Sequence, residues 1–273
     1  MVAVNFRLVS SVWMLLALAG ACLAARPAED DAIVITRPER SLDQVEEIYR
    51  QIPPVVYTPP TDRWQFLPRT ATALHVGNRG LRIVMLGDSI VNDNSRSGWE
   101  TLLQARFPHC AITKITVVRG STGSWWYKEA GRVRRYVIDN HPDLLIIGGI
   151  SQKDDTESIR DVIRQARLGT SCDVLLMTGA FGYTDPRDDK QWQSQFDLHG
   201  KDYRARLFQL SREMKTGFLD MFGAWGQYVR DSRKELVWFK RDAVHANERG
   251  EQILGHILAT YLTPGAPRPA NRR

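Results

Sequence analysis

The chain has 273 residues, 37 of them Lys or Arg and 31 Asp or Glu, for a formal net charge of +6. That length supports one large core or two small ones. The basic residues are scattered rather than gathered into a stripe, which argues against a nucleic-acid partner. Three cysteines are too few for a disulfide framework, and no Cys-x-x-Cys pair or His-rich cluster points to a metal or a bound cofactor.

The N-terminus reads as a targeting segment. Arg7 precedes an apolar stretch from Val12 to Ala21, and Cys22-Leu23-Ala24-Ala25 supplies small residues before Arg26-Pro27. This order describes a secretory signal peptide over residues 1–25, with an apolar core too short to span a bilayer comfortably. The mature chain is therefore expected to be secreted or periplasmic, with no integral membrane span. Ala19-Gly20-Ala21-Cys22 offers the alternative of a lipoprotein anchored at Cys22, although Ala19 stands where a larger aliphatic is usual.

Residues 26–80 form an N-terminal extension expected to wrap the outside of the main domain. Ser41 and Gln44 can cap a short helix reciprocally, with Leu42, Val45, Ile48 and Tyr49 on its apolar side. Pro53, Pro54, Pro59 and Pro60 then exclude a long regular element, and Trp64 and Phe66 serve as packing anchors.

From Leu81 onward, short runs of Ile, Val and Leu alternate with helical periodicity. The runs are Leu81 to Leu86, Ile112 to Val118, Asp143 to Ile147, Asp173 to Met177 and Gly217 to Leu219. They lack strict alternation, as strands covered on both faces do. Between them, Ile159, Val162, Ile163 and Ala166 share one helix face, and Tyr203, Leu207, Leu210 and Met214 another. Trp126, Ala130, Val133 and Val137 also fit one helix face. A last helix from about Asn247 to Tyr261 closes a domain over 81–263, and 264–273 is a basic tail. The class is α/β, with a mostly parallel five-stranded sheet between helical layers.

The first strand ends in Gly87-Asp88-Ser89-Ile90, where glycine permits a tight turn and backbone amides beyond Ser89 can face a carbonyl oxygen. A serine hydroxyl needs a base. His245 can supply it, and Asp242, three residues earlier, can hold the imidazole tautomer. With these residues in place, the chain resembles the SGNH/GDSL hydrolases, a large family of esterases, lipases and carbohydrate deacetylases. Gly87-Asp88-Ser89-Ile90 resembles the first family block and Asp242-Ala243-Val244-His245 the last. Gly120 matches the glycine whose N–H helps form the oxyanion hole. The resemblance covers roughly Leu81 to Tyr261 and implies a three-layer flavodoxin-like fold. It also implies that Cys110 and Cys172, at the starts of non-adjacent strands, stay unpaired.

One block departs from the family. Gly-x-Asn-Asp is usual after the third strand, but this chain has Gly148-Gly149-Ile150-Ser151, and Ile150 has no side-chain donor. Ser151 or Gln152 is expected to complete an oxyanion hole built on the Ser89 and Gly120 amides, or a loop N–H to do so. Trp125, Tyr127, Trp192 and Trp238 are candidate substrate-binding residues, because flat rings can stack on a sugar or hold an acyl group; Asn92, a polar residue just past Ser89, and Arg119, which can meet an anionic substrate group, complete the set.

The preferred function is a secreted serine esterase removing O-acetyl or other short acyl groups from a carbohydrate. The rivals are an O-acyltransferase, a lipid or aryl esterase, and a non-catalytic glycan-binding protein that keeps the fold. Nothing in the sequence sets the oligomeric state. Intact-mass measurement on protein recovered from the envelope or medium should give a chain starting near Ala25 or Arg26; a cytoplasmic product retaining Met1 contradicts export.

Overall fold

The computed structural model describes residues 31–77, 79–193 and 202–263. The expected signal peptide, its Cys22 anchor and the tail 264–273 lie outside them. The chain divides after Asp31, and the sheet and its helices all belong to the unit Ala32–Arg273.

Six strands build the sheet: β1 (Ile33–Ile35), β2 (Leu81–Gly87), β3 (Ile112–Val118), β4 (Leu144–Ile147), β5 (Asp173–Met177) and β6 (Gly217–Leu219). Their order is β1-β3-β2-β4-β5-β6. The last five in sequence are parallel, and β1 pairs antiparallel with β3. The expectation of five strands is thus corrected to six. The added strand is Ile33-Val34-Ile35, a β-branched run in the extension. It is too short for its periodicity to show in the sequence, and it forms because β3 offers an open edge.

The sheet separates two cores. From β2, Ile83 and Met85 point to one side, among Trp99, Ile253, Leu254 and Ile257. Val84 and Leu86 point to the other, among Trp126, Tyr136, Ile159, Val162 and Leu207. This is the period of a strand buried on both faces, and it accounts for the unbroken apolar run. The helices Thr156–Gly169, Tyr203–Glu213 and Glu248–Tyr261 occupy the expected positions. The expected single helix through Trp126 and Val137 is instead two short ones, Ser124–Tyr127 and Arg132–Tyr136. Ala130 and Gly131 break it by adopting left-handed backbone conformations (φ 52° and 70°). Cys110 and Cys172 are buried and free. Among the described residues, no helix is long and apolar enough to cross a membrane.

Register sets the site. Gly87 lies opposite Val118, and Leu86 opposite Ile147, so β2, β3 and β4 end level with one another. The turns after them carry Ser89, Gly120 and Gly148 and emerge side by side at the carboxyl edge, where parallel sheets place their ligands.

The extension is packed against this frame. Its helix Leu42–Tyr49 has the capping box of Ser41 and Gln44. Tyr49 stacks on His256 of the last helix, with ring centroids 3.5 Å apart. Burial, with a smaller contribution from the Arg106 charge, pushes His256 down to about 4. Between that value and the ordinary 6.5, the unfolded chain binds the proton that the folded chain excludes. Stability from the neutral imidazole is therefore complete above about pH 6.5 and is lost as pH falls toward 4. His256→Phe should remove a loss on the order of 2 kcal/mol across that window, read by denaturant unfolding at pH 7 and pH 4.5.

Candidate active site

Ser89 opens the helix Ser89–Arg96, capped by the Asp88 side chain. As the first helical residue, its N–H has no partner within the helix. Gly87 is required by packing: a Cβ there would lie 2.5 Å from Val91 and 2.7 Å from the Gly148 carbonyl. Across the turn, His245 Nε2 is 2.9 Å from Ser89 Oγ. His245 Nδ1 lies 2.8 Å and 3.0 Å from the two Asp242 oxygens. Asp242 Oδ1 also accepts the backbone N–H groups of His245 and Val244, at 2.7 and 2.8 Å. These bonds, the His245 amide first, hold the Asp242 carboxyl well below the usual carboxylate range. The structure therefore brings together Ser89, His245 and Asp242, residues distant in sequence, in the arrangement of a nucleophile, its base and an orienting acid.

Gly120 follows β3 on the neighbouring turn. It is exposed, and a Cβ there would meet nothing within 4 Å. Neither its N–H nor that of Ser89 enters a hydrogen bond among the described residues, so both can serve a developing oxyanion.

The third turn is committed elsewhere. Asp88 is fully buried. Its Oδ2 accepts from Ile150 N–H at 2.8 Å and Ser151 N–H at 2.7 Å, and its Oδ1 accepts from Ile90 N–H at 2.9 Å. Gly149, at φ 100°, leaves room for this carboxylate, because a Cβ would fall 2.6 Å from Oδ1. The Ile150 and Ser151 amides are thus withdrawn from any oxyanion. Gln152 is corrected as well: its Oε1 accepts from Ser124 N–H and its Nε2 donates to the Gly148 carbonyl, both at 2.8 Å. With the residue only 2% exposed, its amide fastens two turns together. The Ser151 hydroxyl alone among these candidates has no hydrogen bond to a described residue. Ile150 is 40% exposed and turns toward a cavity of about 380 Å³ that it lines with Gly179, Ala180, Arg204 and Phe222.

The aromatic candidates divide. Trp125 is half-buried and donates from Nε1 to the Ser151 carbonyl at 3.0 Å, with Lys153 Nζ 3.9 Å from its ring. Tyr127 is 1% exposed and is no substrate contact; its hydroxyl donates to the Gly87 carbonyl at 2.7 Å and steadies the turn before Ser89. Trp192 is 3% exposed and stacks on Phe222 at 5.6 Å, against Gly226, so it belongs to the core. Trp238 lies between Lys234 and Arg249, 4.9 and 4.8 Å from its ring. Arg119 bonds Thr122 Oγ1 at 2.7 Å and covers Trp126 at 4.9 Å, within its own loop. Asn92, one turn past Ser89, buries its Oδ1 without a hydrogen-bond partner among the described residues. Among the described residues, no group of three or more His, Cys, Asp or Glu could hold a metal ion.

No family model and no curated protein sequence matches the chain. Solved structures do. A two-domain esterase active on acetylated mannans, crystallised with mannopentaose, superposes with a TM-score of 0.57 at 17% identity. The match covers 76% of this chain and 57% of that one, so this chain spans little more than half of that esterase. An acetylxylan esterase from Geobacillus stearothermophilus gives a TM-score of 0.54 at 17% identity, over 69% of this chain and 96% of that one. The chain shares the α/β fold of these carbohydrate esterases.

Removing the Asp88 carboxylate orphans three N–H donors at the base of the site. Asp88→Ala should destabilise the protein by about 2–4 kcal/mol, measured by denaturant unfolding; a loss under about 0.5 kcal/mol contradicts the role given to this residue.

Proposed function

We propose that the chain is a serine esterase that removes O-acetyl or other short acyl groups from a carbohydrate. The observation that carries this is the continuous hydrogen-bonded line from Ser89 Oγ through His245 to Asp242. Ser89 Oγ attacks the ester carbonyl while His245 Nε2 takes its proton, and Asp242 stabilises the imidazolium through Nδ1–H. The tetrahedral oxyanion lies against the Ser89 and Gly120 amides. Collapse breaks the bond to the sugar oxygen, which leaves with the proton from His245. Water, deprotonated by the same imidazole, then releases the acyl group from Ser89 as the carboxylic acid. No step uses a cofactor.

Carbohydrate is favoured as the acylated substrate by the fold's likeness to esterases of acetylated mannan and xylan. The non-catalytic alternative draws on Ile150, but it also requires Ser89 and His245 to be out of reach of each other. Their 2.9 Å contact favours catalysis. Export to reach such glycans remains part of the proposal.

A panel of chromogenic acetyl, butyryl and octanoyl esters with acetylated polysaccharides tests the reading. Acetyl donors should be turned over fastest, and Ser89→Ala should lose about 1000-fold or more in kcat. Best turnover of octanoyl esters favours a lipid substrate, and acyl transfer to added sugar alcohols in preference to water favours a transferase. Undiminished hydrolysis by Ser89→Ala overturns the nucleophile.

A further inference from the structure

The helix that begins at Ser89 carries a second acid, Asp93, four residues on and fully buried. Its Oδ1 accepts from Arg241 Nη2 at 2.7 Å, and its Oδ2 accepts the Ala246 N–H at 2.9 Å. Arg241 immediately precedes Asp242, and Ala246 immediately follows His245. One carboxylate therefore grips both flanks of the segment that holds the base and its orienting acid. Arg241 closes that segment on itself, donating from its amide to the His245 carbonyl at 3.1 Å and from its guanidinium to the Ala246 carbonyl.

The grip continues outward. Arg241 Nη1 also lies 3.4 Å from Glu251, another fully buried acid, which binds Arg40 at 2.7 Å and Arg96 at 3.2 Å. Arg40 belongs to the N-terminal extension, and its neighbour Glu39 accepts from Ser95 Oγ at 3.0 Å. Two buried carboxylates and three guanidinium groups thus join the extension, the nucleophile helix, the last helix and the His245 segment.

A helix is stiff, so Ser89 and Asp93 move as one body. The segment from Arg241 to Ala246 lacks helix or strand to hold it, apart from one bridge between Lys240 and Ala246. Apart from the bonds of Asp93, the hydrogen bond that ties this segment to the helix Ser89–Arg96 among the described residues is the one between Ser89 and His245, and a displacement of about 1 Å at a reacting pair can cost about 100-fold in rate. Building on the esterase reading, we propose that Asp93 is a positioning residue: its carboxylate fixes the distance between the Ser89 hydroxyl and the His245 imidazole by clamping Arg241 and Ala246 to the nucleophile helix.

The test uses the full chain. Asp93→Asn keeps an acceptor for the Ala246 N–H and removes the charge facing Arg241; Asp93→Ala removes both. Ester kinetics and thermal unfolding are measured beside proton NMR of the His245 Nδ1–H, whose bond to Asp242 shifts it far downfield. Asp93→Asn should lower kcat by about 10-fold and Asp93→Ala by about 100-fold, with KM within about twofold. The downfield proton should broaden in the first variant and vanish in the second, at temperatures where near-ultraviolet circular dichroism shows intact packing. Arg241→Lys, which keeps a cation, should fall between the wild type and Asp93→Asn. If Asp93→Ala does not fold, Asp93→Asn and Arg241→Lys decide. Folded variants with wild-type kcat and an unchanged downfield proton overturn the proposal, as does an activity loss fully recovered below the unfolding transition. If the wild type cleaves no ester while the NMR signature responds as expected, the esterase reading fails and the positioning role stands.

Discussion

The Asp88 carboxylate is the point from which the site is organised. It is buried one residue before Ser89 and accepts three backbone N–H groups, one from the helix it caps and two from the turn after β4. A buried carboxylate is tolerated only when its lone pairs are filled. Here they are filled by the helix it caps and by the turn after β4, so the first and third turns are built as one unit. Gln152 and Trp125 then fasten the third turn to the second.

This arrangement also limits the chemistry. The amides of Ile150 and Ser151 hold Asp88 and are not available to an oxyanion. Among the described residues, the Ser89 and Gly120 amides and the Ser151 hydroxyl enter no hydrogen bond. Where a polar residue would face the oxyanion, Ile150 turns an apolar surface toward a neighbouring cavity. On the proposed esterase reading, oxyanion stabilisation draws on few fixed dipoles and on a well-held His245, which gives the buried charges around Asp93 and Glu251 their interest.

The N-terminal extension contributes more than a covering. Ile33–Ile35 completes one edge of the sheet. Arg40 places a guanidinium between Arg96 and Glu251, and Tyr49 covers His256. An edge strand left open would invite pairing with another chain, and a buried Glu251 without Arg40 would lose its shortest ion pair.

The strands, the longer helices, the capping box at Ser41 and the identities of Ser89, Asp242 and His245 were legible in the sequence, because each is written in local periodicity or in a short motif. Burial on both faces leaves unbroken apolar runs, and the carboxyl edge of a parallel sheet limits where a nucleophile can stand. The fate of each polar and aromatic side chain was not legible. Trp192 and Tyr127 look like Trp125 in a linear chain, yet two are enclosed and one is half open, since burial depends on elements far away in sequence. Asp93 carried no signal beyond its place one turn after Ser89, and Arg241 none beyond its place before Asp242. The strand Ile33–Ile35 depended on an edge that exists only once β3 is in place. Local order follows from neighbours along the chain, whereas hydrogen-bond partners some 150 positions apart, such as Asp93 with Arg241 and Ala246, are chosen only when the tertiary fold brings them together and excludes the water that would otherwise satisfy them.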